Sequence, residues 1–270
     1  MKISEFAQVT GITRRNLLFY DEIGLLSPAM IDENNHYRYY TYQQIDTANV
    51  INVLRETGMP LKKIKEYLRG RSPEKLIRML DTQKKCVQEK IAVLLQTVGM
   101  LDTRIELTEQ GLLAETDIDA ITIKACEATP ILLGPELPAD SHILDGWYYL
   151  VDFYKFCEQN KVIRGLPTGT VISHADLIRR NTTHPSFYYY RPVDKHSYLT
   201  NAEKPKGLYV IGQERTEYAK SSNLYSRLFS YINEANLQIC GNSYEEFLLD
   251  EISTTDATQY LLQASIHVCK

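Results

Sequence analysis

Two chemistries lie near opposite ends of this 270-residue chain. Near the start, Arg14, Arg15 and Asn16 are consecutive and open an apolar-periodic stretch. Arg can read guanine and Asn adenine through paired hydrogen bonds, and a spare guanidinium suits a phosphate. Tyr20 follows on the same stretch, with a hydroxyl for a phosphate or a ring for a core. Further on comes the run Tyr37-Arg38-Tyr39-Tyr40. Near the other end, Glu245-Glu246 interrupts a strand-like run containing Tyr244, Phe247, Leu248 and Leu249. A buried carboxylate with no partner carries a large desolvation cost or stays protonated. A lipophilic cation would relieve that cost. Rings around it would add cation–π attraction, on the order of 0.5–2 kcal/mol each.

The elements that must position the first group are short and punctuated. Ser4 is placed to cap a helix carrying Phe6, Ala7 and Val9, which Gly11 ends. Thr13 is placed to cap a second helix running from Arg14 through Tyr20, stopped near Gly24 and Pro28. Two short helices joined by a Gly-containing turn make a helix-turn-helix, whose second helix enters the major groove with its first turn leading. Asn34-Asn35 is a turn pair, and Met30-Ile31 with Tyr37 to Tyr40 suits a two-stranded wing. Alternation there puts Tyr37 and Tyr39 on one face, Arg38 and Tyr40 on the other. Thr41-x-x-Gln44 reads as a capping box that opens a further helix. Pro60 begins another, closed by Gly70, with Lys62 and Lys63 in its first turn. Free amides and positive side chains both favour phosphate at such an end.

Ser72-Pro73 starts a long helix. One seam takes Leu80, Val87, Leu94, Leu101 and Thr108; the other takes Lys84, Ile91, Val98, Ile105 and Leu112. Eight of these ten positions are apolar at seven-residue spacing, the pattern of a coiled coil that pairs two copies.

The second half predicts two successive βαββ units. The first is strand Ile121–Leu133, helix Ile143–Asn160, and strands Thr168–His174 and Ser186–Val193. The second is strand Leu208–Glu214, helix Leu224–Asn236, and strands Ser243–Asp250 and Thr258–Val268. Aromatic residues crowd the first helix. Ile143, Trp147, Leu150 and Tyr154 share one face; Tyr149, Phe153 and Phe156 share another. Many buried tyrosines need hydroxyl partners, which a core or a wet pocket supplies. Alternation separates Glu245 and Phe247 from Glu246, and the residue pattern leaves open which glutamate faces inward.

Composition sets bounds. Net charge is −4, but residues 1–80 hold 12 Lys and Arg against 9 Asp and Glu, while the rest holds 18 against 25. A weakly basic head on an acidic body fits nucleic acid at one end only. Five isolated cysteines without a C-x-x-C pair indicate neither a zinc site nor a disulfide framework. No metal and no cofactor is expected. MKISEFAQVTG has no signal-peptide core, and no run approaches the roughly 20 apolar residues of a membrane span. The expected setting is the cytoplasm, with no membrane partner.

The stretch TRRNLLFYDEIGLL from Thr13, the wing residues YRYY, and the helix opening with Pro60-Leu61 resemble the MerR family of transcription regulators. The resemblance implies a homodimer on double-stranded promoter DNA. Effector-bound protein would bend and untwist that DNA so that RNA polymerase can use it, which implies an activator. By position Tyr20 and Arg38 match family DNA-contacting residues, and Phe19, Tyr37, Tyr39 and Lys62 are further candidates for the DNA. Leu18 stands where the family usually has Arg, and Phe19 where Tyr is common. The second half resembles the GyrI-like effector domain of the multidrug-sensing, BmrR-like branch, through GNSYEEFLL, the Tyr260 strand and the βαββ repeat. That resemblance selects Glu245 as the buried acid, with Phe247, Tyr260 and Leu150 at pocket positions. Trp147 and Tyr154 are further candidates to line it.

The expectation is therefore an α+β chain. A winged helix-turn-helix spans 1–71, a coiled-coil helix 72–112, and a duplicated βαββ effector domain 120–270. The alternative is a GyrI-like hydrolase using Glu245 as base, but no second acid, His or nucleophile accompanies it in the sequence. A thiol or metal sensor would need clustered cysteines past the long helix, where Cys126 stands by itself.

Overall fold

A computed structural model describes residues 1–114, 118–138, 146–162, 167–183, 185–191, 200–218 and 222–270. The chain divides into two compact units, Met1–Ile91 and Ala92–Lys270.

The first unit holds α1 (Ile3–Thr10), α2 (Arg14–Glu22), a ribbon of β1 (Met30–Ile31) and β2 (Arg38–Tyr39), α3 (Gln43–Glu56) and α4 (Leu61–Arg69). Gly11 ends α1 with φ of 68°, a left-handed conformation that glycine adopts without a Cβ penalty. Thr13 caps α2, its Oγ1 accepting the Asn16 amide at 3.2 Å. Ser4 does not cap α1. The helix starts at Ile3, and the amide of Lys2 donates to the Glu5 carboxylate at 2.8 Å. A carboxylate in the first turn also meets the positive end of the helix dipole. The Thr41 box forms by half: the Thr41 amide donates to Gln44 at 2.9 Å, while Tyr42 holds the cap position. Phe6, Ile12, Leu17, Tyr20, Ile51, Leu54 and Ile64 fill the core, and Phe6 stacks on Tyr40 at 4.4 Å.

Helix α5 runs from Pro73 to Ala114, 42 residues. Its heptad seams stay at the surface: Leu94 is 63 % exposed and Ile105 56 %. A different stripe, Gly99, Thr103, Leu107 and Gly111, is buried at four-residue spacing. Leu107 clusters with Leu248, Leu249 and Leu261, and a Cβ on Gly111 would lie 2.7 Å from Leu249. Glycine there lets the helix approach its own sheet closely.

The second unit is an eight-stranded sheet with strand order β3-β8-β10-β9-β5-β6-β4-β7. Its strands are β3 (Thr122–Cys126), β4 (Thr129–Leu133), β5 (Gly169–Ile172), β6 (Phe187–Tyr190), β7 (Ala202–Lys204), β8 (Gly207–Arg215), β9 (Gln238–Leu249) and β10 (Leu261–Cys269). Helices α6 (Gly146–Gln159), α7 (His174–Ile178) and α8 (Ser222–Glu234) complete it. The two βαββ units are β4-α6-β5-β6 and β8-α8-β9-β10. Each pairs its last strand between the other two, and they meet where β9 pairs with β5. The single strand expected over 121–133 is two, broken at 127–128 and sent to opposite parts of the sheet. Strand β7 and helix α7 had no periodic signal. Helix α6 packs Phe153 and Cys157 on Leu132, Tyr188 and Tyr190. Helix α8 packs Leu224, Tyr225, Leu228 and Ile232 on Val210, Ile266 and Ile172.

Candidate functional site

On the first unit the charged candidates are at the surface. Arg14 and Arg15 are exposed and Asn16 is half-buried at the start of α2. Lys62 and Lys63 are exposed on α4, and Tyr37 is exposed beside the ribbon. Phe19 is 45 % exposed and Leu18 42 %. Arg38 and Tyr39 are half-buried, and Arg38 Nε donates to Asp21 Oδ2 at 2.8 Å, tying the ribbon to α2. Tyr20 sits in the core instead. It is 1 % exposed, and its hydroxyl accepts from Arg55 Nη1 at 3.0 Å. The i, i+3 relation to Leu17 puts it on the buried face of α2.

On the second unit, register decides the two glutamates. Glu245 lies opposite Ala264 on β10 and Thr170 on β5, and Thr170 lies opposite Tyr188 on β6. Residues directly opposite share a face. One row therefore runs Gly212, Ala264, Glu245, Thr170, Tyr188 across five strands. Helix α8 sits over the Gly212 end, where an added Cβ would be 2.9 Å from Leu228. Helix α6 sits over the Tyr188 end, with Phe153 at 5.9 Å. Glu245 stands between these footprints, on the central strand pair of the repeat.

Its surroundings are polar within an apolar shell. Glu245 is 7 % exposed, and Thr170 Oγ1 donates to its Oε2. The Tyr225 hydroxyl lies 2.9 Å from Ser243 Oγ. Burial first, and then the Glu245 charge, push that hydroxyl well up, so it stays a proton donor. The acid is thus partnered rather than bare, which amends the expectation of an unsatisfied carboxylate. Thr170 is a neutral donor and occupies a lone pair without cancelling charge, while Tyr225 holds Ser243. Neither announced itself in the sequence; only the β9–β5 register and the α8 packing bring them in.

Glu246 faces the other way and has a cation. Arg191 Nε donates to it at 3.0 Å and Arg191 Nη1 reaches Glu106 of α5 at 3.2 Å. Glu246 above all holds the Arg191 guanidinium protonated. On that same face the Lys204 ammonium bonds Ser265 at 2.9 Å, with the rings of Tyr209 and Tyr244 at 4.7 and 5.0 Å. The face opposite Glu245 is filled from within the chain.

Phe247 follows Glu245 on the same face. Its ring is 4.5 Å from Tyr218, which is 5.5 Å from Tyr260. Tyr218 donates to Glu251, and burial with that carboxylate pushes its hydroxyl up. It was absent from the sequence-derived candidates because it follows β8 with no pattern around it. On α6, Leu150 and Tyr154 are half-buried against the Phe153 cluster. Burial and then Tyr154 raise the Tyr188 hydroxyl. Trp147 lies in the first turn of α6, but its side chain, like Ile143, is outside the described residues. A recess of about 500 Å³ rimmed by Glu136, Ser173, Asp176, Arg179 and Ser186 includes none of the candidates. Among the described residues no cluster of His, Cys, Asp or Glu fits a metal, and no helix is long and apolar enough to cross a membrane.

Residues 1–71 match the MerR HTH family regulatory protein. Over 254 residues the chain is 32 % identical to the multidrug-efflux transporter 2 regulator of Bacillus subtilis (strain 168), covering 92 % of this chain and 89 % of that one. Over 297 residues it is 25 % identical to the multidrug-efflux transporter 1 regulator of the same organism, covering 99 % and 98 %. Among solved structures, EcmrR in its complex with DNA is 16 % identical with a TM-score of 0.44 over all of both chains.

Proposed function

Because the chain belongs to the MerR family of helix-turn-helix regulatory proteins, we propose that it is a homodimeric activator switched by a bulky lipophilic cation at Glu245. In this reading residues 1–71 hold promoter DNA, 72–112 pair two copies, and 120–270 receive the effector. Arg14, Arg15, Asn16, Phe19, Tyr37, Arg38, Tyr39 and Lys62 serve the DNA; Tyr20 supports them from the core. Trp147, Leu150, Tyr154, Phe247 and Tyr260 flank the cation. RNA polymerase then uses the reshaped promoter.

Three physical points support this. The apolar heptads of α5 are exposed in the single chain, as Leu94, Leu101 and Ile105 are; pairing with a second copy removes that surface from water. The DNA-facing cations are exposed and the acid is not, so the two halves suit ligands of opposite charge. Energetically, bending and untwisting a promoter costs roughly 1–6 kcal/mol, and a coupling of about 1–3 kcal/mol is enough to tip a pre-strained complex. The cation acts only through its different affinity for the two arrangements.

The observation that carries the sensing role is Glu245: buried, hydrogen-bonded by the neutral Thr170 hydroxyl, between two aromatic-bearing helices. Glu245→Gln tests it, with full-length protein titrated by tetraphenylphosphonium and by a neutral tetraphenyl analogue of the same size. Binding of the cation is expected to fall by on the order of a hundredfold, about 2–3 kcal/mol for a charged partner, with the neutral analogue nearly unaffected. An equal loss for both would mark the carboxylate as structural.

A further inference from the structure

The exposed arc of α2 is not uniformly cationic. At about 100° per residue, Leu18 falls on the helix face between Arg14, one turn before it, and Arg15, three residues before it. Leu17 and Tyr20 turn inward, each 1 % exposed or less, while Leu18 is 42 % exposed. Phe19 borders it at 45 % exposure, its ring held 6.3 Å from Tyr20. An apolar side chain thus occupies the middle of the surface that the helix-turn-helix turns toward the major groove, with guanidinium groups on either side.

Within that groove, the thymine 5-methyl is the apolar group presented by the four standard bases. We propose that Leu18 is a specificity-determining residue that reads a thymine methyl, while Arg14 and Arg15 hold the flanking guanine edges or phosphates. This rests on the reading that α2 lies in the major groove. Leu18 then contributes apolar burial rather than a hydrogen bond: it leaves other bases an unfilled gap, and it is indifferent to salt. One buried methyl is worth about fourfold in affinity, and the paired half-sites of a dimer bring this to on the order of tenfold. Phe19, at the edge of the arc, excludes water from the contact.

The test uses full-length protein and a duplex selected by that protein from a random library, made once with thymine and once with deoxyuridine throughout. Deoxyuridine keeps the pairing and removes the methyl. The expected result is on the order of tenfold weaker binding of the wild type to the uracil duplex, and an equal, salt-independent weakening when Leu18→Ala meets the thymine duplex. L18A should no longer distinguish the two duplexes. Leu18 is exposed, so folding is not at stake; circular dichroism checks it. Equal wild-type affinity for both duplexes would overturn the proposal. So would an undiminished preference in L18A, which would trace the methyl effect to DNA stiffness. Arg14→Ala is the separate control for the groove reading. Loss of binding in R14A with no methyl effect removes the role of Leu18 and leaves α2 in the groove, whereas full binding by R14A removes the groove reading itself.

Discussion

In the first unit the candidate chemistry sits outside the core: Arg14, Arg15, Leu18 and Lys62 are exposed around a core of Phe6, Leu17, Tyr20 and Ile51. In the second unit it sits inside, where Glu245, Thr170, Tyr188 and Tyr225 lie between sheet and helices. The two designs suit different partners. A duplex is a large polyanion that meets side chains kept in water, and surface cations cost little to hold there. A small lipophilic cation has few contacts to offer, so each must be made in a dry, low-dielectric place where charge counts for more. The difference also divides the risk. A surface contact can change without loss of fold, whereas the buried acid is held by the same strands that make the core.

The contrast is broken most strongly at Arg191. Arg191→Met leaves Glu106 and Glu246 facing one another without their cation. A fully buried pair broken this way costs about 3–5 kcal/mol; Glu106 is 40 % exposed, so about 2 kcal/mol is expected after solvent screening. Calorimetry of the full chain should show the second unit melting earlier and the first unchanged. A uniform shift of both would mean that the units do not unfold separately.

Next comes Gly111. A Cβ there meets Leu249 at 2.7 Å, so Gly111→Leu overpacks the α5–sheet contact at a cost of about 1–3 kcal/mol. Better helix propensity returns up to about 1 kcal/mol of that. Urea unfolding of the second unit should report a lowered midpoint; an unchanged midpoint would show that α5 moves off the sheet freely.

A smaller effect is expected on the exposed side. Arg38→Ala should weaken promoter binding severalfold and reduce the slope of log affinity against log salt by about 1 per protomer. An unaltered slope would assign Arg38 wholly to Asp21, which it already holds at 2.8 Å.

The smallest effect is at His267, stacked on Tyr209 at 4.8 Å. Burial, and then the Lys204 charge, hold its imidazole below the ordinary range. The unfolded chain therefore takes up a proton that the folded chain resists, and stability declines as pH falls through and below that range. His267→Gln should flatten this decline. A slope that does not change would place the acid sensitivity elsewhere.

The front of the chain was legible because its elements are local. Thr13, Gly11, Pro60 and Gly70 act within a few residues of themselves, and the seam of α5 repeats along one helix. Where the reading failed there, at Ser4 and in half of the Thr41 box, the backbone took the amide: Phe6 donates to the Lys2 carbonyl and Gln44 to the Thr41 carbonyl. Tyr20 differed because burial depends on what α3 brings across, namely Arg55. In the second half the order of strands and helices followed from periodicity, but the division of 121–133 and the presence of β7 did not. Short edge strands are defined by the partners they find.

From the sequence by itself came the kinds of residue and their local phase. The second of two short helices, capped by Thr13, carries Arg14 and Arg15 outward, a heptad helix follows, and adjacent glutamates on one strand must face opposite ways. Only the tertiary structure decided which glutamate met Arg191 and which met Thr170 and Tyr225, and that the buried stripe of α5 runs through Gly99, Thr103, Leu107 and Gly111 rather than along its heptads. The physical reason is that backbone geometry and capping are short-range, whereas burial and charge pairing belong to residues that meet only when β9 finds β5 and β10.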